Sequence, residues 1–241
     1  MHNLTPDYLR LYPGTFFKHD DVEYGHKEAA ITIPAPDGTR LSGWFYNRGE
    51  GTPLVAMYCG NCMNAGDFNF IAHTDKTRSY LLINYRGYGS SEGSPNETNI
   101  VADARHCLQV ARSLLNNRPG PLYLVGYSLG SAVAIQVAVE ENPARLVLIT
   151  PFDCYATVIG QEILDEPPSI ADWISTAFAP RITCPVTVMR AEYDTVVPPT
   201  STAALVRAFH APLLEKCYPG EHGTILFEEG CLPDLMEQLS P

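Results

Sequence analysis

The pattern Gly-x-Ser-x-Gly occurs twice in this chain, as GSSEG at 89–93 and as GYSLG at 126–130. A serine hydroxyl is a poor nucleophile until a base removes its proton. The pattern therefore signals chemistry only in a context: a strand, a sharp turn that exposes the serine, then a helix whose first N–H groups face a developing oxyanion. GSSEG lies in a Gly/Ser/Asn/Pro loop with Pro95 just behind it, so Ser91 reads as a turn residue. GYSLG follows the strand-like LYLV and precedes the helix-like LGSAVAIQVAVEE, where Ser131 and Ala132 are small enough for close packing on a sheet. Ser128 is the expected nucleophile, with an ordinary helix N-cap as the competing reading.

The base is expected to be histidine, held by a carboxylate, in the chain order Ser, Asp or Glu, His. Two histidines follow Ser128, namely His210 and His222. His210 closes the helix-like AALVRAFH, where a histidine complements the helix dipole. His222 stands in YPGEHGT, a glycine-flanked loop after a strand, and is the expected base. For the acid, Asp194 in VMRAEYDTVVPP follows an apolar strand directly. Asp153, Asp165 and Asp172 fall in an irregular stretch and are weaker choices, while Glu192 suits a salt bridge. Asp103 precedes Ser128 and lies mid-helix, as a solvated or packed helix residue.

The elements that must position these groups alternate along the chain. EAAITIPAPDGTRLSGWFY reads as a hairpin turning at Asp37-Gly38. Short apolar runs follow (LVAMYC, YLLINY, LYLVGY, RLVLIT, CPVTVMRA and then LEKCYPG), and each reads as a strand. Between them lie helix-like segments, including one near 97–115 with apolar residues at steps of three and four, and TSTAALVRAFH. NAGDFNFIAHT and the tail 224–239 also read as helical. This order predicts an α/β fold. It is a mainly parallel sheet of about eight strands with an antiparallel N-terminal edge and helices on both faces. Residues 1–241 suit a single domain, with 151–180 as a short cap-like insertion.

Composition narrows the classes. The net charge is −11, with 45% hydrophobic and 18% charged residues, which excludes a disordered chain and argues against nucleic-acid partners. No apolar run is long enough to span a membrane, and the N-terminus lacks a signal-peptide pattern. Seven cysteines, an odd number, favour a reducing compartment over a disulfide framework. The expected location is cytoplasmic, and oligomeric state is left open.

Taken together and in order, YCGN, NYRGYGSSEGSP, GYSLGSAVAI, AEYDTVVPP and GEHG resemble the α/β-hydrolase superfamily from about Ala29 to Leu239. The second segment is similar to that of small esterases, acyl-protein-thioesterase-like and lysophospholipase-like serine hydrolases. The resemblance implies an α/β-hydrolase fold with at most a minimal cap. It also implies an oxyanion hole of backbone N–H groups, from Leu129 and from Asn61 or Cys62. The loop YCGNC then carries Cys59 where relatives often have His. Two other readings of this C-x-x-C spacing stay open. It could be half of a zinc site, for which no second ligand pair appears, or a redox dithiol.

The expected activity is hydrolysis of a carboxylic ester or thioester by a serine hydrolase, through an acyl-enzyme on Ser128. Ser128, Asp194 and His222 are the expected catalytic residues, with no metal or organic cofactor. The substrate is expected to be a small-molecule or lipid-like acyl compound, in a pocket lined by Tyr127, Phe152, Tyr155 and Trp173, each equally readable as a core aromatic. An amidase or peptidase with the same triad is the alternative, drawing on Glu192, Glu162 and Asp165 for an acidic pocket. A non-catalytic binding protein on the hydrolase fold is another, and a redox protein using the cysteines is a third. Arg86 reads either as a brace of the glycine-rich loop or as a surface ion pair.

Overall fold

The computed structural model of the chain describes residues 27–61, 63–158 and 173–240. Eight strands are β1 Ala30–Pro34, β2 Arg40–Tyr46, β3 Leu54–Tyr58, β4 Ser79–Ile83, β5 Leu122–Tyr127, β6 Arg145–Ile149, β7 Val186–Ala191 and β8 Leu213–Tyr218. They form one sheet in the order β1-β2-β4-β3-β5-β6-β7-β8. β2 pairs antiparallel with β1 and with β4, and every other pairing is parallel.

Parallel strands need crossover connections, and helices supply them. The helices are α1 Asn69–Thr74, α2 Glu97–Leu114, α3 Leu129–Glu141, α4 Tyr155–Val158, α5 Ser175–Phe178, α6 Pro199–Ala208 and α7 Cys231–Gln238, and all but α7, which follows the last strand, lie in those connections. The α/β fold expected from the alternation is the fold observed. β3, β4 and β5 are buried along their whole length, which explains their continuous apolar runs, since both faces are covered. β8, at the far edge, is half exposed, with only Tyr218 buried.

α2 begins at Asn96, whose side chain accepts from the Asn99 N–H, and buries the stripe Ile100, Ala104, Cys107, Leu108 and Ala111. α3 lies deeper still. Its residues from Leu129 to Ala138 are buried without a break, because small side chains let the helix rest on the sheet. The segment NAGDFNFIAHT divides into a 3-10 turn, Ala65–Phe68, and the short α1. Asn64 and Asp67 close a capping box ahead of it. In the tail, helix is confined to the 3-10 turn Ile225–Phe227 and to α7. Of the expected cap-like insertion, 151–158 and 173–180 form short helices and turns, and 159–172 lie outside the described residues, with Glu162, Asp165 and Asp172 among them. Among the described residues no helix is long and apolar enough to cross a membrane.

Candidate active site

β5 ends at Tyr127 and α3 begins at Leu129, so Ser128 alone makes the turn. Its backbone stands at φ 51°, ψ −117°, a conformation that costs a non-glycine residue on the order of 1–3 kcal/mol. The surroundings hold it there. The Ser128 N–H donates to the Ile149 carbonyl at 2.9 Å, and the Ser128 carbonyl accepts from the N–H and hydroxyl of Ser131 at 2.8 and 2.6 Å. The flanking glycines are obligatory for space. A Cβ on Gly126 would meet the Gly130 carbonyl oxygen at 2.3 Å, and one on Gly130 would meet the Tyr58 carbonyl oxygen at 2.0 Å. The helix therefore starts directly against the end of β3.

The loops after β7 and β8 complete the cluster. His222 Nε2 lies 2.9 Å from Ser128 Oγ, and His222 Nδ1 lies 2.8 Å from Asp194 Oδ2. Asp194 Oδ1 accepts from the N–H groups of Val196 and Val197 at 2.9 and 2.8 Å. Both carboxylate oxygens are thus fixed, and the imidazole bridges acid and hydroxyl. The Tyr193 N–H donates to the Gly220 carbonyl at 3.0 Å, tying the acid loop to the histidine loop. His222 is 8% exposed, so the bridge is largely shielded from water.

Tyr127, expected in the substrate pocket, is placed against the histidine loop. Its hydroxyl donates to the His222 carbonyl oxygen, and its ring meets the imidazole edge-on at 6.0 Å. Burial pushes its phenol well above the usual range. It anchors the histidine loop from beneath. Phe152 and Trp173 are each 1% exposed, and Tyr155 is half-buried with its ring edge-on to Phe152 at 6.3 Å. His210 is exposed beyond the end of α6, and Glu192 is exposed beside the acid loop.

The loop after β3 crosses in front of Ser128. A Cβ on Gly60 would lie 3.4 Å from the Ser128 Cβ. The Met63 N–H closes a turn onto the Gly60 carbonyl at 3.3 Å, and the Gly60 N–H points to Met63 Sδ at 3.4 Å. In such a four-residue turn the second residue's N–H, here that of Asn61, takes no part in the closing bond. Leu129 opens α3, and the first N–H groups of a helix have no carbonyl in a preceding turn. Cys62 lies outside the described residues. Cys59 is fully buried, and burial pushes its thiol up to about 12, the reverse of what a reactive dithiol needs. Among the described residues no group of three or more His, Cys, Asp or Glu side chains is placed to hold a metal ion.

Ser91, in the other copy of the pattern, is buried and satisfied. Its hydroxyl donates to the Asn84 carbonyl at 2.9 Å and accepts from the Ser42 N–H at 2.9 Å. Asp103 is packed rather than solvated. It receives Arg86 Nε and Nη2 at 2.6 and 2.8 Å, and Arg86 Nη1 also reaches Asp37 at 2.6 Å. Arg86 is 8% exposed, so it braces the glycine-rich loop from inside.

Residues 57–230 match the model of the alpha/beta hydrolase family. The chain belongs to the alpha/beta hydrolase family. This hydrolase is 34% identical over 206 residues to an uncharacterized protein of Mycobacterium tuberculosis, covering 79% of this chain and 70% of that one. It is also 34% identical over 143 residues to the lysophosphatidylserine lipase ABHD12 of Danio rerio, but these are 49% of this chain and only 36% of the lipase. Among solved structures, the esterase Pf2001 of Pyrococcus furiosus superposes with a TM-score of 0.71 at 15% identity, over 99% of this chain and 94% of that one. That likeness is one of fold. Family and fold together support hydrolase chemistry.

Proposed function

We propose that this alpha/beta hydrolase is a serine hydrolase that cleaves a carboxylic ester or thioester through an acyl-enzyme on Ser128. The observation that carries the reading is the unbroken hydrogen-bond path Ser128 Oγ to His222 Nε2 to Asp194 at 2.9 and 2.8 Å, starting from a serine held at positive φ.

The chemistry follows from that path. Asp194 accepts a hydrogen bond from the Nδ1–H of His222, which fixes the tautomer whose Nε2 is free to accept a proton. As Ser128 Oγ bonds to the substrate carbonyl carbon, its proton passes to Nε2 and the carbonyl oxygen becomes an oxyanion. The N–H groups of Leu129 and Asn61 stabilise that charge, each donor lowering the barrier by about 3 kcal/mol on precedent. Cys62 keeps its place as the alternative second donor. His222 returns the proton to the leaving alcohol or thiol as the carbon–oxygen or carbon–sulfur bond breaks. Water then repeats the cycle, giving its proton to His222 and its oxygen to the acyl carbon, and Ser128 leaves with the proton restored.

The reading takes 1–241 as one domain, with 151–180 as a minimal cap beside the site. Tyr155, half-buried in that segment, is the pocket residue that meets substrate. Phe152 and Trp173 support the wall from inside, and Tyr127 contributes through the histidine loop. A lipid-like acyl ester is favoured by the similarity to a lysophosphatidylserine lipase.

The test is a panel of p-nitrophenyl esters from acetate to palmitate, with wild type beside Ser128→Ala. Wild type turns over at least one ester and is labelled by a fluorophosphonate. Ser128→Ala does neither, losing about a million-fold in kcat where the background allows it to be seen. Equal turnover by both proteins would sink the assignment.

A further inference from the structure

The loop after β3 must hold its backbone N–H still while charge develops on the substrate, because misplacement by about 1 Å costs on the order of a hundredfold in rate. Cys59 brings no polar side chain to that task, being fully buried with its thiol pushed up to about 12 by burial. The anchoring comes from the neighbouring loop, 84–93, which follows β4. Tyr85 donates its hydroxyl to the Cys59 carbonyl at 2.8 Å. Tyr88 donates its hydroxyl to Asn61 Oδ1 at 2.7 Å. The Ala65 N–H donates to Asn84 Oδ1 at 2.8 Å. The two tyrosine rings pack edge-on at 5.3 Å. On its other side the β3 loop is pressed by α3, where a Cβ on Gly130 would lie 2.8 Å from the Cys59 carbonyl oxygen.

The brace is itself rigid. The Tyr88 N–H closes onto the Tyr85 carbonyl at 2.9 Å, and the Gly87 N–H onto the Glu92 carbonyl at 3.1 Å. Gly87 and Gly93 take φ values of 75° and 79°, open to glycine at no steric cost. Arg86, between the two tyrosines in sequence, is locked to Asp103 of α2 and to Asp37 of the β1–β2 turn. Tyr88 is 1% exposed and Asn61 is half-buried, so the bond between them is partly shielded from water, where a hydrogen bond is stronger and its loss more expensive.

We propose that Tyr88 is a positioning residue: through the Asn61 side chain its hydroxyl sets the backbone N–H of Asn61 against the oxyanion formed at Ser128. The proposal rests on the serine hydrolase reading above. It gives the glycine-rich loop a role in rate rather than in substrate contact. The bond joins two groups of the protein itself rather than protein and substrate, so its benefit lies in preorganisation and falls on the transition state.

Tyr88→Phe removes the hydroxyl and keeps the ring. With p-nitrophenyl butyrate, kcat falls roughly tenfold to hundredfold, below the loss of a whole oxyanion donor, while KM stays within about twofold. Asn61→Ala falls similarly, and the double variant is no slower than Asn61→Ala alone, since both changes cut one path. The thermal midpoint and the number of fluorophosphonate-reactive sites report folding. An unchanged kcat in Tyr88→Phe overturns the proposal, as does strict additivity in the double variant, or a rate loss fully explained by fewer reactive sites. Where wild type labels but turns over no ester, the labelling rate constant takes the place of kcat, because phosphonylation uses the same oxyanion hole. A wild type that neither labels nor turns over ester overturns the serine hydrolase reading and this inference with it, whereas an active wild type with an indifferent Tyr88→Phe overturns this inference alone.

Discussion

At the scale of single residues, Asp194 offers the sharpest test of the proposed proton path. Its Oδ1 is held by two backbone N–H groups and its Oδ2 faces His222 Nδ1. Asp194→Asn keeps the shape but presents an amide to the imidazole, which favours the tautomer with its proton on Nε2. That tautomer cannot accept the Ser128 proton, so kcat falls by about ten-thousand-fold at near-neutral pH. Titrating p-nitrophenyl ester turnover against enzyme concentration checks it, and retention of a tenth of wild-type activity would remove Asp194 from the path. Ser128, His222 and Asp194 were legible from residue type, order and flanking glycines alone. Tyr127 was legible from sequence as a pocket residue because it borders Ser128, with no sign of its bond to the histidine loop. Its hydroxyl bond to the His222 carbonyl joins residues 95 positions apart in the chain, and no local pattern encodes such a contact.

At the scale of elements, the start of α3 is the tightest packing in the site. A methyl group on Gly130 would sit 2.0 Å from one backbone carbonyl oxygen and 2.8 Å from the next. Backbone atoms cannot rotate away as a flexible side chain can. Gly130→Ala must therefore push α3 off β3 and carry Ser128 with it. Overpacking of this kind costs about 1–3 kcal/mol, equivalent to roughly 2–12 °C in thermal midpoint for a chain of this size. Scanning calorimetry together with the ester assay checks both arms. A midpoint within 1 °C with full activity would contradict the packing argument. The helix and strand alternation was readable in advance because the period of burial matches the period of each element. The division of NAGDFNFIAHT into a 3-10 turn and α1 was not readable, because the capping box of Asn64 and Asp67 and the bond from Ala65 to Asn84 determine where the helix can begin.

At the scale of the molecule, the end of α7 is fastened by the segment that leads into β4. Arg78 donates to the Leu239 carbonyl at 2.7 Å, to the Met236 carbonyl at 3.2 Å and to Ser240 Oγ at 2.7 Å, and pairs with Asp75 at 2.6 Å. Tyr80 donates to the same carboxylate at 2.7 Å. Burial pushes the Asp75 carboxyl up, but hydrogen bonds from Thr77, Arg78 and Tyr80 outweigh it and hold the group at about 2. An unfolded aspartate titrates near 3.9, so the folded value is the lower one. The stabilisation from Asp75 is then fully present above about pH 4 and is lost as pH falls through about 2. Urea midpoints measured from pH 5 to pH 2 fall in wild type. Asp75→Asn starts lower at pH 5 and shows a shallower fall in that window. A parallel slope in the two proteins would rule out Asp75 as a source of acid sensitivity.

By itself the amino-acid sequence determined the alternation of strands and helices, the strand–serine–helix turn at Ser128 and the order of the acid and base loops. Each of these is a local pattern, set by burial period and by residues whose backbone or side chain suits one geometry. Only the tertiary structure decided which surfaces those patterns meet. It brought Tyr85 and Tyr88 onto the loop of Cys59 and Asn61, turned Arg86 and Asp103 into a buried pair and gave Tyr127 the histidine loop to hold. These contacts join distant parts of the chain across a sheet whose spatial strand order departs from the chain order at β4-β3-β5. That reordering arises from the packing of whole layers, and no short window of sequence contains it.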